Sequence, residues 1–75
     1  MLKTYAVKYY LRGFGHAVYQ VAEARDALHA ALVLSAILKG KHRAHLDDFE
    51  INEVTPATTR FDQWPTINAS EVPHV

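Results

Sequence analysis

The chain contains no cysteine. That excludes disulfide staples, thiolate zinc sites and a thiol nucleophile, and leaves packing or association to stabilise the fold. Glycine and proline are scarce, three of each. The glycines at 13, 15 and 40 mark a hairpin loop and a helix end, and the prolines at 56, 65 and 73 end a strand and punctuate the last stretch. An excess of one charge is also missing, since eight basic residues balance eight acidic ones. Composition alone therefore indicates neither a polybasic nucleic-acid footprint nor an acidic mimic of one.

No apolar run is long. The longest, residues 30–34, is far too short to span a bilayer, and the opening MLKTYAVKYY lacks the apolar core of a signal peptide. The expected location is cytoplasmic, without a membrane partner. Catalytic patterns are missing too: there is no GxSxG, no phosphate-cradling glycine loop, and the acidic pairs are adjacent rather than opposed. The expectation is a protein that is not an enzyme and needs no cofactor.

What the sequence does contain is one domain's worth of patterned structure. At 75 residues, a single core supplies roughly 3 to 5 kcal/mol of net stability. The organising stretch is ARDALHAALVLSAIL, residues 24–38, the one segment long and apolar enough to form a helix against which others pack. At about 100° per residue, Ala24, Ala27, Leu28, Ala31, Leu34 and Leu38 share one side, with Arg25, Asp26 and His29 opposite. The alanines allow close approach to a sheet. No good N-cap precedes the run, and Gly40 is expected as the left-handed residue past its end.

Residues 3–12 alternate, with Tyr5, Val7, Tyr9 and Leu11 on one face, which predicts a half-buried strand. Gly13 and Gly15 around Phe14 predict a hairpin loop, and residues 16–22 a returning strand with Tyr19 and Val21 inward. Residues 47–55 predict a third strand. Val54 falls out of the alternation set by Phe49 and Ile51, which suggests a bulge near Glu53. Residues 57–75 show no periodicity and read as an irregular tail after a 1–56 domain. The expected fold class is α+β: a three-stranded antiparallel sheet in ββαβ order with one helix on one face.

Five histidines invite a metal reading. His42 and His45, followed by Asp47 and Asp48, lack tight spacing and fall beyond the helix, so a solvated loop without a metal is the better reading. More informative is apolar surface beyond what one helix and three strands can hide. Val33 falls in the polar stripe of the helix, with Leu32 and Ile37 flanking the core, and Tyr10, Phe14, Phe61 and Trp64 are costly to leave in water. This surface calls for cover by a partner, a second copy or the tail itself.

The layout of strand, glycine turn, strand, helix and strand resembles small accessory proteins of phages and mobile elements, including some anti-CRISPR inhibitors. The resemblance spans residues 3–55 and is one of layout, so no functional residue carries over. It implies inhibition by occupying a host machine. The leading expectation is thus a non-enzymatic protein-binding module, a phage-type inhibitor or adaptor, with Tyr10, Arg12, Phe14, Val33, Arg60, Phe61 and Trp64 as anchors, since aromatic and Arg residues dominate interface energetics. Pairing of an open sheet edge across two copies offers a route to a homodimer. The alternative is a nucleic-acid-binding protein using Lys3, Lys8, Tyr10, Arg12, Lys41 and Arg43, with Tyr19 as a further stacking residue.

Overall fold

The structure, a computed structural model, describes residues 2–57 and 63–73. Among these, the chain forms β1 (Lys3–Leu11), β2 (Gly15–Ala24), α1 (Ala27–Gly40), β3 (Phe49–Pro56) and β4 (Thr66–Asn68), with short 3₁₀ turns at Leu46–Asp48 and Ala69–Glu71. The class is α+β with a single helix, as expected. The sheet, however, has four strands rather than three, in the order β3-β1-β2-β4, and it is mixed. β1 pairs antiparallel with β2 and β3, while β4, drawn from the expected tail, runs parallel to β2. The tail is ordered there because Ile67 and Val72 pack against the core and Ala69 is buried, and this apolar burial offsets the entropy of fixing the segment.

The hairpin follows from its glycines. The Phe14 N–H donates to the Leu11 carbonyl at 2.9 Å, and Gly13, third in this turn, has φ +89°, the value a type II turn requires there. The strands then place Tyr5, Val7, Tyr9 and Leu11 of β1 beside Val21 and Tyr19 of β2 on the face that α1 covers. Burial, and to a smaller extent the neighbouring Tyr19 phenol, pushes the Tyr9 hydroxyl above the ordinary tyrosine value.

Two register breaks keep this face apolar. In β3, Lys8 lies opposite Glu53 but Tyr9 lies opposite Ile51, so Asn52 is an extra residue. The bulge, one residue from its expected place, brings Val54 to the same face as Phe49 and Ile51. In β2 a second break falls between the partners of Lys3 and Tyr5, where Glu23 has φ +61°. That left-handed residue turns Ala24 into the core, where it is fully buried. Ala24 is therefore the last residue of a strand and not the first of the helix.

The helix starts three residues later than its periodicity suggests and shows a different face to the sheet. Asp26 is its N-cap, and its Oδ1 accepts from the His29 N–H at 2.8 Å. His29 replies through Nδ1, which accepts from the Arg25 N–H at 3.0 Å, in the manner of a capping box. With the start fixed there, the buried stripe is His29, Ala30, Val33, Leu34 and Leu38. Val33, expected on the exposed stripe, is 0% exposed, whereas Leu28, expected in the core, is 69% exposed. Ala27 is exposed as well, and Ala31 only half-buried.

At the other end Gly40 remains within the helix, and the left-handed residue is Arg43, at φ +54°. The stop is set by docking: Ala44 packs against the core, and its N–H reaches the Leu38 carbonyl at 2.9 Å.

These corrections carry two expected outcomes, both read from urea denaturation midpoints. A Cβ on Gly40 would meet no atom within 4 Å, so Gly40→Ala is expected to stabilise the protein by about 0.5 to 1 kcal/mol. Were Gly40 the left-handed cap, the sign would reverse. Val33→Ala is expected to destabilise by about 1.5 to 3 kcal/mol, while Leu28→Ala changes stability by less than about 0.5 kcal/mol.

Candidate partner-binding surface

The end of the molecule that carries the hairpin turn concentrates several of the expected anchors. There the connection from α1 to β3 folds against β1, because β3 must begin opposite Leu11. Asp48 latches the two together. Its carbonyl accepts from the Arg12 N–H at 2.7 Å, its Oδ2 accepts from the His45 N–H at 3.0 Å, and its Oδ1 lies 3.7 Å from the Arg12 guanidinium. The result is a cleft of about 270 Å³ lined by Leu11, Arg12, Phe14, His42, Arg43, Ala44 and Asp48.

Phe14 stands over this cleft, 80% exposed. Its ring meets His42 edge-on, with centroids 6.5 Å apart. Its lining combines the apolar Leu11, Phe14 and Ala44 with the cationic Arg12 and Arg43, and its one carboxylate is already engaged by Arg12. Such a cleft suits a protruding side chain that has an apolar body and a polar or anionic end. Around the corner, on the sheet face away from α1, Tyr10 leans on His16, its cross-strand partner, with ring centroids 5.2 Å apart. A second cleft, of about 310 Å³, lies beside it, lined by Lys8, Tyr9, His16, Ala17, Val18 and Asn52.

Of the expected anchors, then, Arg12 and Phe14 meet in one cleft and Tyr10 is close by. Val33 is not an anchor, because it is core. Trp64 is half-buried beside β4. Its neighbour Pro65 sits at Gln20, which is about 20 Å along β2 from Phe14 at the usual rise per residue. Arg60 and Phe61 lie outside the described residues.

His42, Ala44 and Asp48 were not singled out as partner-binding residues by sequence. The available signal was the start of β3: a strand that begins opposite the hairpin turn must bring its preceding loop there as well. Leu46, 70% exposed, was missed for the same reason.

The residues of the nucleic-acid alternative do not form one platform. Lys8 lies 3.5 Å from Glu53 and Arg12 pairs with Asp48. Lys3 is at the opposite end of β1 from Arg12, and Tyr19 is buried on the helix side. Among the described residues, no group of three or more histidine and carboxylate side chains converges as a metal site requires, and no helix is long and apolar enough to cross a membrane. No protein-family model matches the chain, and neither a curated protein nor a solved structure matches it.

Latch and contact surface separate by mutation. Asp48→Ala is expected to lower stability by about 0.5 to 1.5 kcal/mol, through the lost hydrogen bond and ion pair. Phe14→Ala is expected to stay within about 0.5 kcal/mol of the parent chain. Thermal or urea unfolding of the two variants side by side checks both.

Proposed function

We propose that this protein is a non-enzymatic protein-binding module that engages its partner with the hairpin tip and blocks the surface it covers, as a phage-type inhibitor or adaptor does. The observation that carries this reading is Phe14: a phenyl ring left 80% exposed on a turn held by its own hydrogen bond and by the Asp48 latch. An aromatic ring on a rigid support loses little conformational freedom on binding, and rings of this kind, with neighbouring arginines, dominate interface energetics. Arg12 and Arg43 frame the ring, and Tyr10 extends the surface. Leu46, in the same connection between α1 and β3, is exposed as well.

The neutral net charge and the pairing of Lys8 and Arg12 with carboxylates favour a protein partner over a nucleic acid, whose phosphates demand unpaired cations in register.

The test is affinity capture from bacterial lysate with the tagged chain and with its Phe14→Ala variant, each with and without nuclease. The expected result is a stoichiometric protein that survives nuclease and is retained by the parent chain but not by the variant. A direct titration of that protein is then expected to show about 30-fold weaker binding for Phe14→Ala. Binding that vanishes on nuclease treatment and weakens steeply with salt overturns the reading in favour of nucleic acid. Equal retention of a protein by both chains removes the tip from the interface.

A further inference from the structure

The two margins of the sheet are treated differently. The outer strand β3 carries Glu50 and Glu53, a bulge at Asn52 and a terminal Pro56, all devices that discourage a further strand from pairing. The other margin is β2. There β4 covers only Gln20, Val21 and Ala22, and among the described residues no strand lies beside residues 15–19 on the side away from β1. That stretch, Gly-His-Ala-Val-Tyr, has no proline, no bulge and no Asp, Glu, Lys or Arg.

The direction of its hydrogen-bonding groups is fixed by Gln20. The Gln20 N–H donates to the Pro65 carbonyl at 2.9 Å, so it points away from β1. Alternation along a strand then turns the N–H and carbonyl of His16 and Val18 the same way, and those of Ala17 toward β1. The protein's own β4 already uses this edge, and the vacant part continues directly from it.

We propose that the occupant is a second copy of this chain, paired antiparallel through residues 15–19 about a twofold axis at Ala17. The stretch is self-complementary in that register. His16 of each copy faces Val18 of the other, and the two exchange both backbone hydrogen bonds. The pairing has natural stops at both ends: the hairpin turn at Phe14, and Pro65 where it meets Gln20. The sheet becomes continuous across both copies. The cleft under Phe14 is built on the β3 side of the hairpin and stays open, so the pair presents two such clefts. The inference is independent of what those clefts bind.

Two substitutions test it. At the axis, Ala17 of one copy faces Ala17 of the other as a non-hydrogen-bonded pair, with Cα atoms about 4.5 Å apart, within the roughly 4.4 to 6.8 Å that a disulfide spans. Ala17 is exposed and the chain has no other cysteine. Ala17→Cys is therefore expected to give a covalent dimer under mild oxidation, and Glu50→Cys, on the β3 margin, to give none. Val18→Pro removes an N–H that points away from β1, so it breaks the pairing without removing a hydrogen bond inside the protein. The parent chain is expected to sediment at twice the monomer mass at about 100 μM, and Val18→Pro at the monomer mass with an unchanged far-ultraviolet spectrum. A monomeric parent at that concentration overturns the proposal. So does cross-linking of Ala17→Cys no greater than that of Glu50→Cys, and so does a dimer that persists in a folded Val18→Pro chain. Should Val18→Pro unfold, the cysteine pair alone decides.

Discussion

Strand parity is the constraint on which the rest of this structure depends. In an extended chain each added residue sends every later side chain to the opposite face, and only one face of this sheet is covered by α1. Both neighbours of β1, β3 and the end of β2, would run out of phase with that face if their pairing with β1 were uniform. The extra residue at Asn52 recovers Val54 for the core, and the left-handed Glu23 recovers Ala24. A non-glycine residue in that conformation carries strain. Here it is held in place by the strand before it, the helix cap after it, and the Ser70 hydroxyl, which donates to the Glu23 carboxylate at 3.3 Å.

The helix inherits its phase from the same event. Because β2 continues through Ala24, the chain has one turn in which to reverse, and Asp26 becomes the first side chain able to cap. Its bond to the His29 N–H and the return bond from Arg25 to His29 Nδ1 set the rotation of the first turn. From there the stripe of Ala30, Val33, Leu34 and Leu38 faces the sheet. Periodicity within residues 24–38 cannot distinguish this stripe from the one containing Leu28, since Leu28, Leu32, Val33 and Ile37 make the segment apolar on nearly every side. The leucines that lose the competition, Leu28 and Leu32, stay in water.

The candidate surface was legible in part. Phe14 between two glycines and Arg12 just before it were visible as turn residues with exposed side chains, because a hairpin turn cannot bury its tip without another element above it. Their companions His42, Arg43 and Asp48 come from a loop some thirty positions away, and only the pairing of β3 with β1 brings them there. Val33 was misjudged for a related reason, and the segment holding Trp64 was read as an irregular tail. An apolar side chain in a polar or irregular stretch looks like excess surface until a partner within the same chain is known. For Val33 that partner is the sheet, and the segment holding Trp64 is drawn to the body by β4.

Local chemistry alone determined the hairpin, the existence of one helix, the inward face of β1, the approximate place of the β3 bulge and the α+β class. Alternation, glycine φ preference and 3.6-residue periodicity all act over a few neighbouring residues. Tertiary structure decided the fourth strand, the phase and ends of α1, and the cleft at the hairpin tip. Each of these depends on burial of apolar area or on a hydrogen bond between residues far apart in the chain. No window of sequence contains both partners of Gln20 and Pro65, of Arg12 and Asp48, or of Phe14 and His42.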